Sequence, residues 1–547
     1  MGVCRSPSMR ASGVLQGFLA VALAASMAWS QEVPRGGMPT FDLALEILQE
    51  RQVTFPQDTP DGHESAVWNS RFYLEALCLA YRRTRNPRYA EDFIRTADWI
   101  LDEVKTVSVS TLPDPTRQDH FGRPGPRKML VGWPTNTQAL GMPILIPDLE
   151  GQPSLWVQNL RPAMGQAATH FRVEEDPAGG VRLGWWNGQD LESHAYPTGR
   201  SLADLRHAFS RYGHSYGRIV PMGKAMPQPG FYRCDQALPS IRHADQTAGL
   251  LLPILKFMVQ TDYFAEGRNR ERRERRERWK ATIVRVLATT GDCFVEDGAG
   301  GLILRNPSYL THAHAGLPVP ANYAYVEIMA RLLYYRLSGD LEQLSLASRL
   351  LQHQRNHWKV SDQGWLILAY WPDGPQWASN WQGLSVWEAM NADPTLPEES
   401  SHIFFLTELL DLAQDLGFSK ALGLDPFRAV LARTLEEYVL NLPRGGAKGV
   451  VQRDRLPSQR STRADPLAPL DNPFLGSFLL AYTDLSERAK LVLAHAFPLT
   501  MDRLWPLARS PLGGQRLRAL AGPGAVPLGA GYILKAFAIH DLFAPVP

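Results

Sequence analysis

Polar residues crowd the start of a strongly predicted helix in EESSHIFFLTELLDLAQDLG, residues 398–417. Apolar side chains recur every three or four positions from Ile403 onward, which is the spacing of a helix face that packs on a core. The serines and glutamates before it can cap the helix and favour its positive end. His402 needs another explanation, because the same positive end disfavours a charged imidazole and leaves a neutral ring able to accept a proton. Glu399 and His402 are therefore candidates for proton-transfer chemistry.

Two further predicted helices begin beside polar residues. In PVPANYAYVEIM, two prolines lead into Asn322 and Tyr323, with Tyr325 two positions later. In FYRCDQALPSIRHADQTAGLLLP, Arg233 and His243 precede an apolar run. Capping and packing explain each cluster by itself, and Asn322 can serve as the cap of its helix. Three such clusters nevertheless favour one shared site if the helices close into a ring.

Asn, His, Tyr and Arg side chains together suit β-elimination from a uronic acid. The proton on C5 is only weakly acidic while the neighbouring carboxylate keeps its charge. An amide, guanidinium or protonated imidazole bonded to that carboxylate stabilises the enolate-like intermediate. A neutral His or a Tyr then removes the C5 proton, and a Tyr can protonate the departing O4.

In this hypothesis His402 is the base or the group that neutralises the carboxylate, and Asn322 holds the carboxylate. Tyr323 or Tyr325 is the acid or base, and only one of them is expected to reach the cleft, because residues two apart on a helix point in different directions. The candidate catalytic residues are His402, Asn322, Tyr323, Tyr325 and His243, and the candidate substrate-binding residues are Arg233, Tyr232, Trp371, Trp186 and Glu399.

Trp186 and Trp371 are candidate substrate-binding residues because they lie in predicted loops rich in aromatic side chains. YWPDGPQWASNWQG (370–383) and GWWNGQDLESHAYPTGR (184–200) are rich in Trp, Tyr, Gly and Pro. Trp and Tyr offer sugar rings an apolar surface with a polar handle, although plain loop packing explains such residues equally well.

Two alternatives to elimination stay open. Glycoside hydrolysis needs two carboxyl groups about 5–10 Å apart across the bond, and Glu399, Asp245, Asp190 and Glu192 can supply them. A non-catalytic glycan-binding protein with a degenerate cleft is the other alternative.

Composition narrows the choice of partners. The 547 residues carry a formal net charge of +2, which gives no argument for nucleic-acid binding. Arginines and glutamates interleave in EGRNRERRERRERWK (266–280), which favours a solvated helix face. Because no HExxH, CxxC or EF-hand motif occurs, we expect no metal or other cofactor, and calcium is not indicated. An acidic polysaccharide is the expected substrate, and the oligomeric state stays open.

The first thirty residues resemble a secretory signal peptide. Arg10 precedes an apolar run, and Ala28-Trp29-Ser30 satisfies the small-x-small rule for cleavage. The run is too short to span a membrane comfortably, so we expect export to the periplasm or outside the cell without stable membrane association.

Helix pairs recur along the rest of the chain. The segments 68–104 and 321–354 each predict two helices separated by Arg-Asn-Pro or Ser-Gly-Asp, and residue 398 starts a third pair. THFRVEEDPAGGVRLGWW (169–186) alternates on both sides of a turn and predicts a β-hairpin. We therefore predict a mainly α protein: a single α/α-toroid catalytic domain over 31–547, with that hairpin as an insertion and a long loop at 444–472.

Three short motifs carry a resemblance to a known group of proteins. They are PAN at 320–322, YWP at 370–372 and EESSH at 398–402. Secreted α/α-toroid polysaccharide lyases and related uronate-polysaccharide-active proteins carry P-x-N, Y-W-P and E-D-x-S-H in the same order, and the chain resembles them from about 240 to 417.

The resemblance implies an α/α toroid and a polysaccharide lyase activity. It places His402 and Asn322 in the active cleft, with Glu399 standing where the family commonly has Asp.

Overall fold

The computed structural model describes residues 38–50, 64–109, 128–134, 141–159, 169–186, 200–205, 217–238, 241, 244–265, 269–305, 318–369, 372, 402–440, 442, 478–494 and 529–543. The predicted signal peptide (1–30) and the predicted long loop (444–472) lie outside these residues, as do His243, Trp371 and Glu399.

Helices dominate this part of the chain, which confirms the prediction of a mainly α protein. The helices are α1 (Pro39–Glu50), α2 (Glu64–Thr84), α3 (Pro87–Asp102), α4 (Ala244–Gln260), α5 (Arg270–Thr289), α6 (Ala321–Ser338), α7 (Leu341–Asn356), α8 (Ile403–Asp415), α9 (Asp425–Arg433) and α10 (Gly529–Phe543). A π-helical turn, Thr434–Val439, continues α9, and residues 487–494 are also helical.

The two helix pairs predicted from their breaks are both present. The Asn86 side chain accepts a hydrogen bond from the backbone N–H of Arg88 and so caps α3 after its pair with α2. Gly339, with φ of 76°, ends α6, and Asp340 then caps α7. Local chemistry at the break therefore fixes both turns.

The arginine- and glutamate-rich run also forms the predicted structure. It becomes helical from Arg270, and ion pairs one turn apart, such as Arg275–Glu271 at 3.2 Å, line its exposed side. Trp279 is its first buried residue. The run is a solvated helix face.

One helix of each pair joins a continuous row. The neighbours in this row are, in order, α10, α2, α4, α6 and α8, while α1, α3 and α7 pack against α10, α2 and α6. Contacts near the helix ends show that α2, α4, α6 and α8 run in the same direction. These contacts are Phe72–Phe404, from the first half of α2 to the start of α8, Arg82–Gln260 at the ends of α2 and α4, and Tyr335–Phe418 at the ends of α6 and α8.

Short antiparallel sheets occupy the loops between helices. The strands are β1 (Lys105–Val109), β2 (Lys128–Gly132), β3 (Ile144–Pro147), β4 (Pro153–Asn159), β5 (His170–Glu175), β6 (Val181–Trp186), β7 (Gly217–Pro221), β8 (Gly230–Arg233), β9 (Phe294–Glu296), β10 (Leu302–Leu304), β11 (Lys359–Val360) and β12 (Leu366–Ile367). They pair as β1–β2, β3–β4–β7, β6–β5–β8, β9–β10 and β11–β12.

The predicted hairpin forms as β5 and β6, but it is not an isolated insertion. Strand β8 pairs with the free edge of β5, and a second three-stranded sheet lies beside it in the chain. The sequence pattern missed β4 because its residues after Pro153 are buried on both faces, so they do not alternate. Side chains of both three-stranded sheets form a second hydrophobic core, separate from the helical one.

Candidate functional site

The starts of α6 and α8 lie at the same end of the helix row. These two helices pack side by side, and because their ends meet through Tyr335 and Phe418, their starts share the opposite end. Asn322 is the second residue of α6, and His402 immediately precedes α8. The structure thus brings these two predicted catalytic residues to one end of neighbouring helices.

Asn322 has a different local role from the cap that its position suggested. Pro320 is the N-cap of α6, and its extended backbone (φ −59°, ψ 156°) leads into the helix. The Asn322 side chain is 1% exposed, and its Oδ1 accepts a hydrogen bond from the Tyr323 backbone N–H at 3.0 Å. This bond orients the amide within the first helical turn.

The two candidate tyrosines differ in their surroundings. Tyr325 is 1% exposed, and its hydroxyl oxygen accepts a hydrogen bond from Nε1 of Trp358 at 3.2 Å. Tyr323 is half-buried and packs against the edge of the helical core. Of the two phenols, Tyr323 is the better placed to meet a ligand.

His402 occupies the N-cap position of α8 without making a capping hydrogen bond through its side chain. It is half-buried, and its ring lies 6.3 Å from that of Phe405. The capping function that explains serines at helix starts does not explain this imidazole.

Two predicted substrate-binding residues meet on the sheet β6–β5–β8. Trp186 on β6 and Arg233 on β8 both lie opposite His170 on the central strand. The guanidinium of Arg233 forks onto Asp235, with nitrogen–oxygen distances of 2.7 and 3.3 Å. The hydrogen bond from Arg233 holds the pKa of the Asp235 carboxyl group below its usual value. Tyr232 points to the other face because side chains alternate along a strand.

Tyr232 packs against the second core, and its hydroxyl donates to the Gln228 carbonyl at 2.8 Å. Burial raises the pKa of this phenol. The structure therefore separates Tyr232 from Trp186 and Arg233, with which it was grouped. Phe231 lies on the same face of the sheet as Trp186 and Arg233. The sequence prediction did not include Phe231.

A group of ionised side chains that the sequence prediction did not single out lies between four helices. Its members are Arg71 and Glu75 on α2, Lys256 on α4, Glu408 on α8 and Lys535 on α10. We call this group the charged core.

The lysines bridge the two glutamates. Lys535 Nζ lies 2.5 Å from Glu75 Oε2 and 3.5 Å from Glu408 Oε1. Lys256 hydrogen-bonds to Glu408 and lies 3.5 Å from Glu75 Oε1. Burial by itself would raise the pKa of Glu75, but Lys256, Lys535 and Arg71 lower it well below the usual range. The carboxylates of the charged core are therefore ionised at neutral pH.

A sequence signal for this group exists. Each of four predicted helices carries one charge inside an apolar run: FYLEALCLA, LLPILKFMV, FFLTELL and YILKAFAI. A charge inside the buried stripe of a helix needs a partner, since an isolated ion in the core is costly. Two acids and two bases in such positions predict mutual pairing.

A cavity of about 320 Å³ lies above the charged core, toward the ends of α2, α4, α8 and α10. Its lining includes Glu75, Lys256, Glu408 and Lys535 with the rings of Phe404 and Phe478. The lining runs from Phe404, near the start of α8, to Arg82, Gln260 and Asp415 in the last turns of α2, α4 and α8. Neither Asn322 nor His402 is among the residues that line the cavity.

The glutamates of the charged core do not suit the role of the general acid in glycoside hydrolysis. The lysines keep both glutamates deprotonated, whereas a glycosidase needs one protonated carboxyl group. Asp411, which also lines the cavity, has a pKa raised by burial, but its oxygens accept hydrogen bonds from Arg428 and Thr483. These contacts point to a structural role.

Within the described ranges, no three His, Cys, Asp or Glu side chains are arranged to hold a metal ion. None of the helices described is both long enough and apolar enough to cross a membrane. The three cysteines in this part of the chain, Cys78, Cys234 and Cys293, are buried and in the thiol form.

Comparison with known proteins adds no relative to this picture: no family model matches the chain, and neither a curated protein nor a solved structure matches it.

Proposed function

We propose that this protein is an exported polysaccharide lyase that cleaves a uronic-acid-containing polymer by β-elimination. The observation that carries the proposal is the placement of Asn322 and His402 at the same end of the parallel, adjacent helices α6 and α8. The sequence motifs around these two residues, and their resemblance to those of toroid lyases, add support.

The arrangement of the helices supports a toroid as the framework. Neighbouring helix axes lie about 8–10 Å apart, so a flat row would separate α2 from α8, three steps away, by about 25 Å. Instead, the rings of Phe72 and Phe404 are 6.1 Å apart, and Arg71 lies 3.7 Å from Glu408. The row therefore curves so that α8 approaches α2, which supports the proposed ring.

The proposed mechanism assigns one step to each group. The Asn322 amide and the positive ends of α6 and α8 stabilise the negative charge that the uronate carboxylate gains as C5 loses its proton. His402 removes that proton. The C4–O4 bond breaks as the C4–C5 double bond forms, and Tyr323 gives its proton to the departing O4.

Elimination and hydrolysis leave different products. Elimination creates a conjugated unsaturated uronate with an ultraviolet absorption band, whereas hydrolysis creates reducing ends without it. We expect the band to appear when the protein is incubated with one member of a panel of uronate polymers. Reducing ends that appear without the band would overturn the proposal in favour of hydrolysis.

A substitution separates catalysis from folding. His402→Ala should lower the rate of band formation by about 10²–10⁴-fold, as expected for loss of a general base. Its thermal midpoint should stay within a few degrees of wild type, because His402 does not cap α8. A large loss of stability with unchanged activity per folded molecule would make His402 a structural residue.

A further inference from the structure

The sheet β6–β5–β8 has one face turned away from the second hydrophobic core. Phe171, Val173, Leu183 and Trp185 are buried on the core side. On the other side the register gives two rows of side chains, Trp186–His170–Arg233 and Gly184–Arg172–Phe231. We call these six residues, together with the next pair of the register, Glu174 on β5 and Arg182 on β6, the aromatic face.

Aromatic rings provide its apolar area. The side chain of Phe231 is 57% exposed, an unusual position for a large ring on a strand. The ring of Trp186 meets it edge to face at 5.8 Å, and the guanidinium of Arg172 lies 5.4 Å from its centroid. The neighbours hold the Phe231 ring in place while leaving its surface open to a ligand. A sugar ring can pack on such a surface.

Arginines make the aromatic face cationic. Arg172, Arg182 and Arg233 outnumber the two nearby acids, Glu174 and Asp235. The side chain of Arg233 is 78% exposed, and its guanidinium already forks onto one carboxylate. A guanidinium binds carboxylates through two parallel hydrogen bonds, so a ligand carboxylate can use the same geometry.

Gly184 leaves room beside these groups. A Cβ built on Gly184 would have no atom within 4 Å, in contrast to the crowded sites around other glycines of the neighbouring sheet. The backbone of β6 is therefore open to an approaching molecule next to Arg172.

We propose that the aromatic face binds uronate residues of an anionic polysaccharide, with a sugar ring over Phe231 and its carboxylate on Arg233. The identity of the polymer as a uronate rests on the proposed function, but the binding does not require cleavage. The aromatic face precedes α4 in the chain, and α4 starts at the end of the row where α6 and α8 start. The face would thereby hold the polymer near the end of the row where Asn322 and His402 lie.

Filling the space above Gly184 tests this proposal. Gly184→Leu puts an isobutyl group where the sugar must lie, and the new Cβ meets no protein atom within 4 Å. Gly291→Leu is the matched control, since a Cβ there also meets nothing within 4 Å. Both changes are made in the His402→Ala background so that cleavage does not consume the polymer.

Binding to polygalacturonate, and to dextran as a neutral polymer, is measured by affinity electrophoresis and calorimetry. We expect Gly184→Leu to weaken polygalacturonate binding by about tenfold or more and Gly291→Leu to leave it within about twofold. Equal binding by both variants, or equal retention by the neutral polymer, would overturn the proposal. So would absence of polygalacturonate binding by the parent, or tighter binding of single-stranded DNA.

A second pair of variants isolates the charge. Arg233→Ala should weaken polygalacturonate binding about tenfold at low salt, and by less at high salt. Arg270→Ala removes an equally exposed arginine in an equivalent ion pair, with Glu274 at 2.6 Å, and should have no such effect. Wild-type protein, which keeps His402, is assayed for the ultraviolet band in parallel. Binding of polymer through the aromatic face, with no band formed by wild type, would refute the lyase activity alone. If wild type forms the band but neither Gly184→Leu nor Arg233→Ala changes binding, the proposed binding by the aromatic face alone would be refuted.

Discussion

The ammonium nitrogen of Lys535 lies 2.5 Å from Oε2 of Glu75, although 460 positions separate the two residues in the chain. Both side chains are buried, and the same nitrogen lies about 5 Å from the centroids of the Phe72 and Phe478 rings. The pair therefore attaches α10, the last described helix, to α2. It also joins the charged core to the aromatic wall of the cavity.

Lys535→Met should destabilise the protein strongly, because it leaves Glu75 buried with one fewer cation. Breaking a buried pair from one side costs about 3–5 kcal/mol. The free energy of unfolding from urea titration measures this loss. Arg349→Met is the control: Arg349 pairs with Glu296 on the surface, where such pairs contribute about 0–1 kcal/mol. Equal losses in both variants would show that the charged core contributes no more than a surface pair.

Acid should weaken the same core. Burial would raise the pKa values of Glu75 and Glu408, but Lys256 and Lys535 lower both. A group with a lowered folded pKa contributes stability above its unfolded value, 4.5 for Glu, and loses it as the pH falls toward the folded value. The free energy of unfolding should therefore fall steeply below pH 5.

Glu75→Gln identifies the source of this dependence. The substitution removes one of the two carboxylates. The loss of unfolding free energy between pH 5 and pH 3 should therefore be smaller in the variant than in wild type, and the difference should be about 2 kcal/mol. Parallel curves for the two proteins would assign the acid sensitivity to other carboxylates.

The sequence predicts local features of this protein well. The breaks at Asn86 and Gly339 carry the cap and the positive-φ residue that end and start helices, so both helix pairs follow from short-range chemistry. The partners of Glu75 could not be read in this way, because they come from helices hundreds of positions away. Prediction of the candidate site was limited in the same way. The sequence indicated its residue types, but it did not indicate that Tyr232 and Arg233 lie on opposite faces of the sheet, which depends on the pairing of β8 with β5.

The two tyrosines should respond differently to loss of the hydroxyl. Tyr323→Phe should lower the rate of ultraviolet band formation by at least about 10²-fold, because it removes the proposed proton donor. Tyr325→Phe should keep the rate within a few-fold but cost about 1 kcal/mol of stability, since the partly buried Trp358 N–H loses its acceptor. Rates with the matching polymer and urea midpoints measure both effects. The reverse pattern would make Tyr325 the catalytic phenol.

Buried thiols should resist modification in the native protein. Burial raises the pKa of Cys78 to about 11 and that of Cys234 to about 12, and it raises that of Cys293 further. Thiolates are the reactive form, so an alkylating reagent at pH 8 should label none of the three until denaturant is added. The labels are counted by mass spectrometry on protein made without residues 1–30, because that segment contains the fourth cysteine, Cys4. Rapid labelling of any of these cysteines before unfolding would show that its surroundings open readily.

Asn322 tests the proposed chemistry most directly. Asn322→Ala removes the amide that is proposed to hold the uronate carboxylate, so kcat should fall by about 10²–10³-fold, as for loss of a charge-stabilising donor. Gln343→Ala is the matched control, because Gln343 is another buried amide but bonds to Arg331 at 2.5 Å, between α6 and α7. It should cost stability and leave kcat near wild type at a temperature where both variants are folded. Equal losses of kcat would trace the effect of Asn322→Ala to weakened packing of α6 and remove the amide from the mechanism.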